Sequence, residues 1–255
     1  SFTGSVATGR LVQAAAAYNI IPVTLELGGK SPQLFFEDAN LENALPFLVN
    51  AGIQNGGQTC SASSRILVHR SRYDEVIDRM SQKYQELIVR PAIDDGALGP
   101  LISERQKTIV EGFISKGKNL NLVAQGKIDS KAPAKGHYIA PHLFSDVSED
   151  HILAKDEIFG PVQVIMPFDT EEEAIKIANG TDYGLVASIW TNDGARQMRL
   201  AKKLKSGQVF INNYGAGGGV ELPFGGRGFS GHGREKGFEA LFGFSTLKTV
   251  ASYHQ

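Results

Sequence analysis

Strand-patterned and helix-patterned segments alternate along most of this chain, and that alternation limits its fold more than any other feature. Residues 33–36, 65–68, 162–167, 185–190 and 209–212 are short apolar runs of strand length. Amphipathic stretches lie between them. Residues 39–50 place Leu41, Ala44, Leu45 and Leu48 at helical spacing, with a kink expected at Pro46. Residues 71–89 do the same with Tyr73, Val76, Ile77, Met80, Tyr84 and Leu87. Ser103-Glu104-Arg105-Gln106 and Thr170-Glu171-Glu172-Glu173 are capping boxes that open helices running to about Lys116 and Asn179. A further helix is expected over 194–204. Residues 121–124 and 138–143 predict strands around a polar loop at 127–136. Alternation of this kind implies a doubly wound α/β fold with a mostly parallel sheet.

The only cysteine in 255 residues lies in Gly56-Gly57-Gln58-Thr59-Cys60-Ser61-Ala62. A glycine pair loosens the backbone ahead of it, and the small residues 61–64 predict a helix start behind it. A thiol at a helix N-terminus is favoured as thiolate, and the amides there suit an oxyanion. On this stretch alone a buried structural cysteine is an equal reading. One cysteine excludes an intrachain disulfide, which fits a reducing, cytoplasmic setting. The six histidines are scattered, so no metal site is expected.

Residues 20–25, Ile-Ile-Pro-Val-Thr-Leu, predict an apolar strand that delivers Glu26 to a Gly28-Gly29-Lys30 turn. A carboxylate leaving an apolar strand has its pKa raised, which makes it a base near neutral pH. In Asp156-Glu157-Ile158-Phe159-Gly160-Pro161 an acid and an aromatic stand two apart, stopped by Gly-Pro. Taken alone, those residues read more simply as a surface acid and a core phenylalanine. Thr3-Gly4-Ser5 is a turn ahead of an alanine-rich helix over 7–18, and such turns can cradle phosphate. Residues 214–224 are glycine-rich without the Gly-x-Gly-x-x-Gly spacing, so a mobile loop beside a pocket is expected there. Lys+Arg number 26 against 27 Asp+Glu, a balance that gives no support for a nucleic-acid or anionic-membrane partner.

The glutamate stretch followed by the cysteine stretch resembles the two active-site signatures of the aldehyde dehydrogenase superfamily, in that family's order. Pro223-Phe224-Gly225-Gly226 and Ser230-Gly231-His232-Gly233-Arg234-Glu235 match the family's C-terminal pattern. The resemblance covers essentially the whole chain and corresponds to about the C-terminal half of a member. It implies oxidation of a small-molecule aldehyde to a carboxylate with NAD or NADP. Cys60 would carry a thiohemiacetal and then a thioester, and Glu26 would activate the water that releases the acid. It sets Gly4, Ser5 and Leu27 against the cofactor, Glu157 on the nicotinamide-side ribose and Phe159 near the nicotinamide. Thr59, Ser61 and Phe224 would line the substrate pocket.

The resemblance also divides the chain. Residues 1–28 would end a dinucleotide-binding domain, 29–228 would form the catalytic domain and 229–243 a return segment. Residues 244–255 would be an oligomerisation strand that adds to a neighbouring subunit's sheet, giving a homodimer or homotetramer. The family's asparagine oxyanion donor and its adenine-ribose residues lie in a half that this sequence does not contain. The chain alone is therefore expected to bind NAD poorly, to be inactive and to self-associate. Two rivals are a coenzyme-A-acylating relative, against which Glu26 argues, and a non-catalytic truncated protein on the same fold.

Overall fold

A computed structural model of the chain describes residues 1–215 and 219–254. It opens with β1 (Phe2–Thr3), α1 (Val6–Tyr18), β2 (Leu25–Glu26), β3 (Ser31–Phe35), α2 (Leu41–Ile53) and β4 (Ser63–His69). Next come α3 (Tyr73–Glu86), β5 (Ile88–Val89), α4 (Glu104–Lys116), β6 (Asn121–Gln125), β7 (Lys127–Ile128) and β8 (His142–Ser145). Then follow α5 (Ile152–Lys155), β9 (Val162–Phe168), α6 (Glu171–Ala178), β10 (Val186–Trp190) and α7 (Gly194–Lys203). The order ends with β11 (Gln208–Ile211), β12 (Gly231–His232) and α8 (Glu239–Gly243).

Seven strands form the main sheet in the order β11-β10-β3-β4-β9-β8-β6. All neighbours are parallel except β6 and β8. Successive residues of a strand face opposite sides, and here both sides are covered. Leu34 and Leu67 pack with Val110 of α4, Ala174 of α6 and Leu200 of α7. Phe35, Ile66 and Val68 pack on the other face with Leu45 and Leu48 of α2 and Val76 and Met80 of α3. Two buried faces explain why these strands read as unbroken apolar runs. The expected doubly wound, mostly parallel architecture is what the chain forms.

A second, small sheet has the order β1-β2-β12, with β2 parallel to β1 and antiparallel to β12. It brings the two ends of the sequence together behind Glu26.

Several boundaries differ from the sequence reading. The strand expected over 20–25 is reduced to Leu25–Glu26. Pro22 has no amide to donate, and Ile20 is left-handed (φ 56°) and exposed. The helix expected over 71–89 stops at Glu86, and Ile88–Val89 instead pairs with Lys127–Ile128. That pairing takes the start of the expected polar loop into a two-stranded sheet. The strand expected over 138–143 is His142–Ser145, beyond the donor-less Pro141. Pro46 sits inside α2, which runs on to Ile53. Both expected N-caps form, without the reciprocal half of the box: Glu173 Oε2 accepts from the Asp169 amide instead, and Gln106 Nε2 donates to Ile158 O and Phe159 O. Ser103 Oγ accepts from the Gln106 amide and Thr170 Oγ1 from the Glu173 amide. Of the glycine-rich stretch 214–224, residues 216–218 lie outside the described residues. Residues 246–253 form no strand within the chain and are exposed.

Candidate active site

Glu26 ends β2 at the centre of the small sheet, opposite Thr3 on one side and Gly231 on the other. Its side chain is 2 % exposed, and neither carboxyl oxygen has a hydrogen-bond partner among the described residues. Burial pushes its pKa up to about 8; Glu235 adds to the rise and Arg234 opposes it. This carboxyl therefore holds its proton at neutral pH and becomes a base just above it.

Cys60 follows a 3₁₀ turn, Gln54–Gly57, and lies in a turn closed by the Ala62 amide on Thr59 O (2.9 Å). No helix starts behind it, which corrects the sequence expectation. The chain goes directly into β4, because Ile66, Leu67 and Val68 are claimed by the parallel pairing with β3 and β9. Without a helix dipole the thiol is not activated at rest. Burial pushes its pKa up, and the carboxylates of Glu157 and Glu26 add to the rise.

Glu157 enters from the loop ahead of β9. Its Oε1 accepts from the Gly29 amide at 3.0 Å. Its Oε2 leaves no room for a side chain at residue 28, where a Cβ would lie 2.0 Å away. Gly28 is thus required by the close approach of the carboxylate. Burial raises the Glu157 pKa, while the Gly29 amide and Lys30 pull it down. Phe159 is left-handed (φ 54°) and half-exposed. Gln106 Nε2 donates to Phe159 O (2.9 Å) and Ile158 O (3.2 Å), which holds that backbone in place.

Glu26, Cys60, Glu157, Phe159, Gly4, Ser5 and Leu27 all line one cleft of about 440 Å³, together with Thr3, Gly28 and Gln106. Seven residues picked from separate stretches of sequence thus meet in one place. Ser5 caps α1 by accepting from the Thr8 amide (3.3 Å), so a helix N-terminus opens at the cleft. The Gly4 amide is committed to Glu26 O (3.0 Å) and is not free for an anion. Leu27 is buried against Gly9 of α1.

None of the three expected pocket residues lines this cleft. Thr59 borders a narrow crevice with Gly29 and Gly160. Ser61 is buried, and its carbonyl accepts from the Tyr214 hydroxyl. Phe224, like Cys60, packs against the cluster of Leu185, Val186 and Tyr214.

Sequence reasoning missed Gln106 and Lys30. Gln106 gives its backbone amide to the Ser103 cap, a signal that marks a helix start but not a site. Lys30 is 2 % exposed, and its Nζ has no hydrogen-bond partner among the described residues. Burial and the neighbouring Arg65 push its pKa down to about 7, against Glu157 and Asp156. Arg65 is itself buried and donates to the carbonyls of Lys30, Ile177 and Ala178. No cluster of three or more metal-ligating side chains occurs among the described residues, and no helix there is long and apolar enough to cross a membrane.

Comparison with known proteins identifies the family. The model of the aldehyde dehydrogenase family matches residues 1–250. A betaine aldehyde dehydrogenase of Rhizobium johnstonii is 40 % identical over 253 residues, which is 98 % of this chain and 52 % of the relative. A crystal structure from Burkholderia cenocepacia, assigned as an aldehyde dehydrogenase, superposes with a TM-score of 0.96 at 58 % identity. It covers 98 % of this chain and 53 % of its own. The Mycobacterium tuberculosis aldehyde dehydrogenase complexed with NAD+ superposes at 0.88 with 43 % identity, covering 95 % of this chain and 50 % of its own. The chain thus spans about half the length of the relatives it matches. With a family match over nearly every residue and the same fold in solved members, the chain belongs to the aldehyde dehydrogenase family.

Proposed function

We propose that the whole protein oxidises a small-molecule aldehyde to a carboxylate with NAD or NADP, using Cys60 as nucleophile and Glu26 as base. The observation that carries this reading is the convergence of Cys60, Glu26 and Glu157 on one cleft. The cleft also suits a nicotinamide nucleotide. The N-terminus of α1 favours a phosphate, the Glu157 carboxylate has an oxygen available for ribose hydroxyls, and the Phe159 ring offers an apolar wall. Gly4, Ser5 and Leu27 border the phosphate end. When bound, the nicotinamide would supply the two-electron acceptor for the oxidation.

The chain's own residues do the rest. Cys60 Sγ bonds to the aldehyde carbon, and the thiol proton ends on the carbonyl oxygen to give a thiohemiacetal. After oxidation Cys60 holds the acyl group as a thioester. Glu26 then takes a proton from water as the water oxygen bonds to the acyl carbon and the C–S bond breaks. The departing sulfur regains a proton and the acid leaves. A carboxyl with a pKa of about 8 does this only when ionised, so release of the acid should quicken as pH rises through that value. A buried base that activates water favours hydrolysis over transfer to coenzyme A.

Residues 1–28 are assigned to the cofactor side and 29–228 to the catalytic domain, with 229–243 returning behind Glu26. Residues 244–255, with Leu247, Val250 and Tyr253 exposed, are assigned to contact with another subunit of a cytoplasmic homo-oligomer. The test is single-turnover mass spectrometry of the full-length protein with aldehyde and NAD. An acyl group on Cys60 that accumulates in Glu26→Gln supports the scheme. Undiminished turnover by Cys60→Ala overturns it.

A further inference from the structure

The loop that carries Cys60 is short, and its two stems belong to different elements. α2 ends at Ile53 and β4 begins at Ser63. Between them Asn55, Gly56 and Gly57 take left-handed φ angles of 53°, 65° and 74°. Consecutive left-handed residues do not propagate as a stable local structure. The shape of this loop therefore depends on what holds it: from outside, Gln58 Oε1 accepts from the Ile102 amide (2.9 Å) and Ser61 O from the Tyr214 hydroxyl, and from below its stems are held. Inside it, Asn55 Nδ2 donates to Gln58 O (3.1 Å) and Gln58 Nε2 donates to Asn55 O (2.9 Å). Those bonds shape the turn without tying it to either stem.

One side chain under the loop hydrogen-bonds to both stems. Gln163 is the one polar residue of β9, in Val-Gln-Val-Ile-Met-Pro-Phe, and it is fully buried. Its Nε2 donates to Ser63 O, on the first residue of β4, and to Leu48 O of α2 at 3.0 Å. Its Oε1 accepts from the Tyr84 hydroxyl of α3. Both amide hydrogens and the amide oxygen are thus engaged. Helix α2 comes close enough for this through Gly52, where a Cβ would lie 2.1 Å from Gln163 Cδ. An apolar residue of the same size at 163 would fill the space. It would also leave the buried Tyr84 hydroxyl without its partner and take one bond each from the carbonyls of Leu48 and Ser63.

We propose that Gln163 is a positioning residue for Cys60: its amide clamps the two stems of the nucleophile loop together from beneath and so fixes where Sγ stands. The inference rests on Cys60 being the nucleophile. A purely structural glutamine would affect stability and leave the reactivity of the folded protein alone. A clamp would affect the rate at which Cys60 is acylated, because small displacements of a nucleophile are costly in rate.

The experiment uses the full-length protein at a temperature well below its melting point. Single-turnover acylation of Cys60 at saturating aldehyde and NAD is measured beside Tm for three variants. Gln163→Leu removes the clamp. Tyr84→Phe keeps the amide but removes the hydroxyl that orients it. Met80→Ala destabilises the same core from α3 without touching the amide. Gln163→Leu is expected to slow acylation by about tenfold or more with KM for the aldehyde little changed. Tyr84→Phe is expected to give a smaller loss in the same direction, and Met80→Ala to stay within about twofold of wild type despite its lower Tm. Wild-type acylation in Gln163→Leu, or an equal loss in Met80→Ala, overturns the proposal. If Gln163→Leu does not fold, an unchanged acylation rate in Tyr84→Phe overturns it instead. Failure of the underlying reading looks different, because wild type itself would then show no acyl group on Cys60.

Discussion

The two halves of the candidate site rest on supports of very different strength. Cys60 and Glu157 hang from the seven-stranded sheet, whose inner strands are buried on both faces by helices. Leu34, Leu67, Val68, Val164 and Ile165 there have no exposed surface. Glu26 and Gly4 hang from a sheet of three strands that are two residues long each. Bonds such as Phe2 N to Thr24 O (2.9 Å) and Leu27 N to Ser230 O (3.2 Å) hold that sheet, and Ser230 Oγ ties it to the larger body by donating to Gly28 O (2.6 Å) and accepting from the Gly184 amide (3.0 Å). Around it Leu11, Tyr18, Ile20 and Ile21 stand exposed. A sheet that small is marginal by itself, and an apolar surface of that extent is normally covered. By this contrast the chain's double-sided core fixes Cys60, the proposed nucleophile, whereas Glu26, the proposed base, rests on the small sheet.

The largest test of that contrast is stability. Leu67→Ala, in the middle of β4, should cost about 2–5 kcal/mol of unfolding free energy, because it removes buried methyl groups and leaves a cavity. Leu11→Ala, on the exposed face of α1, should change it by no more than about 0.5 kcal/mol. Denaturant melts of the two variants beside wild type measure both. Similar losses in the two would mean that α1 and the small sheet unfold together with the main core, and the contrast would fail.

Hydrogen exchange sharpens the same comparison without mutation. Amides of β3, β4, β9 and β10 should exchange only through global unfolding. Those of Phe2, Gly4 and Leu27 should exchange faster by roughly a hundredfold or more, through local opening of the small sheet. Equal protection in the two sheets would show that Glu26 is held as firmly as Cys60.

The same contrast governs what could be read from the sequence. The strands of the main sheet are legible because burial on both faces leaves plain apolar runs, and its helices because Ser103 and Thr170 announce their caps. Residues 20–25 look like one more such run, yet only Leu25 and Glu26 pair. Pro22 and the left-handed Ile20 interrupt the rest, and the exposed side chains show that hydrophobicity there does not mean a local core. The stretch after Cys60 was misread for the opposite reason. Small residues 61–64 suit a helix start, but long-range pairing with β3 and β9 overrides that local preference. Among the candidate site residues, Glu26, Cys60, Glu157 and Phe159 were picked out together through the family resemblance; taken alone, Glu157 and Phe159 read as a surface acid and a core phenylalanine. Lys30, Gln106 and Gln163 were not picked out, because their importance lies in partners distant in sequence. Lys30 faces Glu157, Gln106 holds the Phe159 backbone, and Gln163 ties Leu48 to Ser63.

The smallest expected effect asks how far residues 229–243, the proposed return segment, rather than burial, set the pKa of Glu26. Glu26 owes its raised pKa first to burial, then to the charge of Glu235, with Arg234 acting against both. Replacing Glu235 by Gln should therefore lower the Glu26 pKa, and replacing Arg234 by Gln should raise it, each by up to about one unit. Carboxyl ¹³C NMR, with the Glu26 signal assigned by its loss in Glu26→Gln, reads both shifts directly. The sign carries over to stability. A carboxyl whose folded pKa lies near 8 binds its proton more tightly folded than unfolded. Its contribution to stability is complete below the ordinary carboxylate range and is lost as pH rises from there to about 8. Glu26→Gln should remove that part of the slope, and Glu235→Gln should end it at lower pH. If neither neighbour moves the titration, burial alone sets that pKa. The return segment would then serve only to complete the small sheet through Gly231 and His232, and the electrostatic link between the two ends of the sequence would be gone.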